Sequence, residues 1–332
     1  MLNFNRHRRA AVLAVSFASA LLAAPLGAGA QQAAQPVTIR ANIIPILDAG
    51  AFHAAQKLGY FAAEGLNVVT TTGVTGAIGI PGLVAGAYDV VYTNLPSAYQ
   101  AMQQGIDIKL IAVGNRTDRP GTPPDNAGLV KLASSSFKTG KDLEGKSVGV
   151  SARFNIQWLL AREWIRATGG NPDKVNYREV QFPLMIDALK TRQVDVIFAS
   201  NPFLSAALRD PDMDALGWPF RTVLSGGRAA GYVVTQQMIQ QRPEAVLAFA
   251  RALAKGADWI NGNNKSLEFR SMMTDVTKMK PEILENVPIL PNSSTIDAEV
   301  LATLQNLAAM MKTNGLLNTD LDLSTRVFPA LK

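Results

Sequence analysis

Short apolar runs rich in β-branched residues alternate along the chain with longer stretches whose apolar positions recur every three or four residues. VTIRANII precedes FHAAQKLGYFAAEG, LNVVTTT precedes IPGLVAGA, DVVYT precedes SAYQAMQQ, and IKLIAV follows. The order starts again after Leu143. KSVGVS precedes a helix expected from Asn155 to Ala167, VNYREV precedes PLMIDALKTRQ, and VDVIFAS precedes PFLSAALRD. This rhythm predicts an α/β fold of two sheets, each with covering helices. From Gln236 onward the pattern turns helical. In PEAVLAFARALAKGADWI, Pro243 suits a first turn, and Val246, Phe249, Ala250, Leu253, Ala257 and Ile260 form one apolar stripe that must face a core. Thr295 to Asn314 reads the same way.

The segments LVAGAYDVVYTNLP (Leu83 to Pro96) and LKTRQVDVIFASNP (Leu189 to Pro202) align without a gap. Each predicts a helix end, a tight turn at Asp89 or Asp195, a buried strand and a polar segment stopped by proline. Two structurally related lobes are one reading, and a chance likeness between α/β units is the other. Open parallel sheets place ligand sites beyond the carboxyl ends of their strands, so two facing lobes would share one cleft.

Candidate binding residues follow from those strand ends: Ile44, Pro45, Ile46 and Asp48 after the first, then Thr72, Gly73 and Gly76, then Thr93 and Asn94. The other lobe would supply Ser151, Arg153, Phe154, Ser200 and Asn201. Such a lining is mostly neutral and hydrogen-bonding. It suits a small polar or anionic molecule and supplies no acid–base machinery. Arg153, just before the expected helix start, and Arg116 would add charge-assisted bonds to a carboxylate or sulfonate. The alternative is that either arginine pairs with a neighbouring acid or lies in solvent. Phe154 and Trp158, four residues apart, form an aromatic wall or, in the other reading, leave Trp158 in the core.

Composition narrows the chemistry. The 332 residues include no cysteine, which excludes disulfides, thiolate nucleophiles and thiolate metal sites. Of the two histidines, His7 lies in an N-terminal leader, and His53 between Phe52 and Ala54 reads as structural rather than as a general base. No G-x-S-x-G, H-E-x-x-H, Walker or C-x-x-C pattern is present, so no enzyme activity, metal or cofactor is expected. The run GVTGAIGIPG has G-x-x-G-x-x-G spacing, which is not a dinucleotide loop. It reads as a close approach of backbone amides to a ligand or as a flexible turn.

Residues 1–30 show a basic segment (NRHRR), an apolar stretch from Ala10 to Leu22 and a small-residue site ending at Ala30, which together predict a cleaved signal peptide. Arg8 and Arg9 leave a twin-arginine route open beside the general one. The net charge of +6 falls to +3 once Arg6, Arg8 and Arg9 are removed, which gives no reason to expect nucleic acid as a partner. No later stretch approaches the roughly 20 apolar residues of a membrane helix, so the expected product is exported and soluble.

The phrases AAQKLGYFAAEGLNV, LVAGAYDVVYTNLPSAYQAMQQG, DLEGKSVGVS, ALKTRQVDVIFASNPF and RPEAVLAFARALAKGADW together resemble a branch of the ABC-transporter periplasmic binding proteins. It is the sulfonate, nitrate and taurine branch, which also contains binders of thiamine pyrimidine precursors. The resemblance runs from about Val37 to about Ile260. It implies a type II periplasmic binding fold, with residues 36–134 plus 231–332 as a discontinuous first lobe and 135–230 as the second. It also implies a periplasmic, monomeric receptor that hands a small anionic solute, of sulfonate or carboxylate class, to an inner-membrane permease with its ATPase. Many relatives carry an acid where Asn201 precedes Pro202 and Phe203, so the identity of the solute does not transfer. An exported enzyme or ligand-sensing module on the same fold is the alternative.

Overall fold

A computed structural model describes residues 35–73, 76–118, 121, 124–285 and 287–328. The expected signal peptide lies outside the described residues, as do Val74 and Thr75 of the glycine-rich run.

The first series of elements is β1 (Val37–Ile43), α1 (Gly50–Lys57), α2 (Tyr60–Ala63), β2 (Leu66–Thr72), α3 (Gly76–Val84), β3 (Val90–Asn94), α4 (Leu95–Gln103) and β4 (Ile108–Val113). The second is β5 (Ala127–Leu132), β6 (Ser147–Val150), α5 (Ile156–Ala167), β7 (Asn176–Glu179), α6 (Met185–Lys190), β8 (Val196–Ser200), α7 (Phe203–Leu208), β9 (Met213–Gly217) and α8 (Pro219–Val223). The chain then forms β10 (Ala230–Thr235), α9 (Gln236–Gln241), α10 (Pro243–Asn263), α11 (Leu267–Thr277), α12 (Pro281–Leu284) and α13 (Ala298–Thr313). No helix among the described residues is long and apolar enough to cross a membrane.

Two five-stranded sheets result, ordered β2-β1-β3-β10-β4 and β7-β6-β8-β5-β9. In the first, β1, β2 and β3 are parallel and β10 is antiparallel to β3 and β4. The second repeats the plan, with β6, β7 and β8 parallel and β5 antiparallel to β8 and β9. Each sheet thus receives one strand at the point where the chain passes between sheets. Because β5 pairs in the second sheet, sheet membership changes between Val113 and Ala127, ahead of the boundary expected at 134.

The internal echo has a structural basis. Asp89 and Asp195 precede the equivalent strands β3 and β8, and each carboxylate accepts a backbone amide of the neighbouring strand, Arg40 N and Ser147 N respectively, both at 2.8 Å. Arg40 and Arg242 also bond Asp89. The acid at each turn therefore sets the height at which the third strand enters its sheet.

The long helix α10 buries the stripe read from the sequence, Val246, Phe249, Ala250, Leu253, Ala257 and Ile260. It lies so close to α1 that a Cβ on Gly256 would stand 2.1 Å from the Ala51 carbonyl oxygen. Phe249 stacks on Phe61 at 4.9 Å between ring centroids, and Phe52 and Tyr232 complete this apolar layer. In the second sheet's layer, α5 buries Trp158 against Tyr177, so Trp158 belongs to the core.

Candidate functional site

The facing ends of the two sheets enclose two contiguous pockets of about 50 and 140 Å³, which share Ile44, Ile46, Ser151 and Phe182. Parallel strands contribute their carboxyl ends: Ile44 follows β1, Asn94 ends β3, Ser151 follows β6 and Ser200 ends β8. The antiparallel strands contribute their amino ends, Asn126–Ala127 at β5 and Ala229–Ala230 at β10. Strand direction alone explains why both kinds of end meet here, since Ala127 pairs with Ser200 and Ala230 with Asn94.

Local capping fixes much of the polar lining. Asn94 caps α4 by accepting Ser97 N at 3.0 Å, and Asn155 caps α5 by accepting Trp158 N at 3.0 Å. Gln157 uses both ends of its amide, donating to the Phe198 carbonyl at 2.5 Å and accepting Ser151 N at 2.8 Å. The 151–157 turn is thereby tied to β8. Apolar walls come from Ile44, Ile46, Ile156, Phe182 and Phe220, with Phe203 stacked on Phe182 at 5.8 Å.

Asp48, 3% exposed, is the one carboxyl in the lining, and no lysine or arginine joins it among the described lining residues. It follows β1 in a short 3-10 turn, Leu47–Ala49. The Tyr92 hydroxyl donates to Asp48 Oδ2 at 2.5 Å. Asn115 directs its amide nitrogen to Oδ1. Burial pushes the Asp48 carboxyl up to about 7, against the opposing pull of Tyr92, Arg228 and Asn115. Gly114 makes the arrangement possible, because a Cβ there would lie 2.5 Å from the Tyr92 hydroxyl and 2.8 Å from Asp48 Oδ2.

The two passages between sheets lie side by side beneath the pockets. Gly114 N donates to the Ala230 carbonyl at 2.9 Å, Thr117 N to the Gly227 carbonyl at 3.3 Å, and Arg116 and Arg228 form an antiparallel bridge. Asp118 closes this junction, pairing with Arg116, whose Nη2 donates to it at 3.3 Å, and accepting the Ser225 hydroxyl at 2.8 Å and Gly226 N at 3.0 Å. Burial would raise its pKa, yet Gly226, Ser225 and Arg116 together hold it below the usual carboxylate range.

Of the residues expected from the sequence, the pockets gather Ile44, Pro45, Ile46, Asp48, Gly73, Asn94, Ser151 and Ser200. Gly73 is needed sterically, since a Cβ would stand 2.6 Å from Asn42 Oδ1. Gly76 opens α3. Four others stand apart from the lining. Thr72 is exposed at the end of β2, and Thr93 is buried beneath the surface of β3. Asn201 turns inward, where its side-chain oxygen accepts Ser205 N and the Ser205 hydroxyl at the start of α7. Arg116 is spent on Asp118.

Arg153 and Phe154 require a correction of their expected role. They line a separate groove of about 300 Å³ with Ile80 and Gln100, outside both pockets. Phe154 adopts φ 63°, and this left-handed turn carries both side chains outward, with Arg153 over the Phe154 ring and Phe154 46% exposed. Its carbonyl accepts Gln100 Nε2 at 3.0 Å.

Tyr92, Thr117, Asn126, Gln157, Phe182, Phe203 and Phe220 line the pockets without having been chosen from sequence. Tyr92 carries a usable signal, a hydroxyl inside an otherwise apolar buried strand. Asn126 and Thr117 carry none under a rule that looks only at carboxyl ends. His53 lines neither pocket. Its Nε2 is sealed from solvent, and burial lowers its pKa to about 4.

A family model described as NMT1/THI5 like matches residues 48–265. The riboflavin-binding protein RibY of Chloroflexus aurantiacus is 25% identical over 289 residues, covering 84% of this chain and 79% of that protein. Among solved structures, the alkanesulfonate-binding protein SsuA from Xanthomonas axonopodis pv. citri, bound to MOPS, superposes with a TM-score of 0.75 at 15% identity, covering 89% of this chain and 99% of its own. The periplasmic nitrate-binding protein NrtA from Synechocystis PCC 6803 gives 0.71 at 14% identity, covering 88% and 85%. These likenesses establish the periplasmic-binding-protein fold.

Proposed function

Since the chain belongs to the NMT1/THI5-like family, we propose that it is the solute-binding component of an ABC-type importer. It is exported to the periplasm, captures one small organic solute between its two sheets, and presents it to a membrane permease driven by an ATPase. The observation that carries this reading is the composite cleft, whose walls come from both sheets while only two adjacent passages join them. Such a junction lets two lobes open and close about a fixed line, so that solute capture changes the outer surface a permease meets. The sulfonate- and nitrate-binding proteins and the riboflavin-binding relative point to the same role. The receptor acts as a monomer, and it binds rather than transforms its solute. The pockets pair no nucleophile with a base among the described residues, and His53 lines neither of them.

The anionic class expected for the solute has no support among the described lining residues, because Arg116 and Arg153 both lie elsewhere. A thermal-shift screen followed by uptake assays tests the role. Cells lacking this chain should lose uptake of the stabilising solute and regain it with the wild-type gene. Unimpaired uptake in the deletion strain would contradict the importer reading.

A further inference from the structure

We propose that Asp48 makes the cleft selective for uncharged solutes that offer an N–H or O–H donor, and against anions. This rests on the receptor reading above and names the solute class for the same site.

Three observations converge on it. The described lining residues include one carboxyl group and no lysine or arginine, so an ionised Asp48 repels an anion in the pocket, and Arg228, the cation that acts on Asp48, is not among them. Among the described residues, Arg116 is paired with Asp118, Arg153 lies in the outer groove, and Arg228 donates to the Gly226 carbonyl at 2.7 Å while also acting on Asp48. Three amides of the lining are also engaged, since Gln157 spans Ser151 and Phe198 while Asn94 and Asn155 serve as helix caps.

A solute meets there a carboxylate that has received one donor on each oxygen, from Tyr92 and Asn115, and has lone pairs left to accept more. A third donor completes its shell. The surrounding walls of Ile44, Ile46, Phe182 and Phe220 favour a ring-bearing body behind that donor. The groups facing Asp48 are Tyr92 from β3, Tyr232 from β10, and Asn115 and Arg228 from the two passages. Burial places its titration near neutrality, so a solute that donates to the ionised form captures that form.

The chemistry is the reverse of anion reading by a guanidinium, although the fold is shared with sulfonate- and nitrate-binding proteins. It is tested with isosteric probes that differ in charge, benzamide against benzoate and nicotinamide against nicotinate, followed by ligand-observed NMR titration at pH 8. Wild type should prefer each amide by about tenfold or more, and Asp48→Asn should reduce that preference to within about threefold by admitting the acid. Thermal melts of the apo variants establish that they are folded.

Equal affinity of wild type for benzamide and benzoate would overturn the proposal, as would an undiminished preference in Asp48→Asn. Loss of benzoate binding in Arg228→Gln would also overturn it, by placing the anion on that guanidinium. Probe binding that is untouched by Ser200→Trp, which fills the pocket, lies outside the cleft and counts against the receptor reading instead.

Discussion

The Tyr92 hydroxyl donates to Asp48 Oδ2 at 2.5 Å across a boundary between strand and turn, and both groups are sealed from water in the cleft floor. Burial lifts the Asp48 pKa from 3.8 to about 7, so between those values the folded protein binds more protons than the unfolded chain. Stability from this group therefore falls as pH rises from about 4 to 7, by on the order of 4 kcal/mol. His53 acts in the opposite sense. Its pKa drops from 6.5 to about 4, so its contribution to stability increases as pH rises through that window. Denaturant melts of wild type and Asp48→Asn isolate the first effect, because all other groups are common to both proteins. The stability of Asp48→Asn relative to wild type should grow from pH 4 to 7 and then level off. A difference independent of pH would contradict the burial argument.

Gly114 supplies a second check on the same pair. A methyl group there would press on the Tyr92 hydroxyl at 2.5 Å and on both Asp48 oxygens, at 2.8 and 2.9 Å. Gly114→Ala should cost about 1–3 kcal/mol in urea unfolding and weaken solute binding. Gly262→Ala, on α10 with nothing within 4 Å of the new methyl, should be neutral or stabilising by up to about 1 kcal/mol. Equal effects of the two substitutions would show that the close packing around Asp48 is not limiting.

The junction between sheets depends on Asp118, 2% exposed, which gathers Arg116, Ser225 and Gly226. Asp118→Ala should destabilise the protein by about 3 kcal/mol at pH 7, since it leaves a guanidinium and a buried amide unpartnered. Its folded pKa is depressed, so this contribution is present above the unfolded value and is lost as pH falls through the folded one. The destabilisation should shrink in strong acid. A variant as stable as wild type at pH 7 would remove Asp118 from the account of the junction.

Strand–helix rhythm was legible because β1, β3, β4, β6 and β8 are largely apolar runs set between helical stretches. Asn155 stood out at the start of α5 for a local reason, its side chain capping the helix. By contrast, MDALG forms the edge strand β9 with no β-branched residue, and AGLVKL gives no hint that it inserts antiparallel beside β8. The site divides along the same line. Ile44, Asn94, Ser151 and Ser200 follow from the carboxyl-end rule, whereas Asn126 and Ala230 reach the cleft only because their strands run the other way. Arg153 was misleading because charge and closeness to a helix start do not reveal direction, and the left-handed turn at Phe154 carries it outward.

The central claim, that one small solute occupies the cleft between the sheets, is tested most directly by native mass spectrometry of the exported protein purified without denaturation. Wild type should carry a single small-molecule adduct. Ser200→Trp, which fills the pocket at the end of β8, should remain folded and lose it. An adduct retained at the same occupancy in Ser200→Trp would contradict the account.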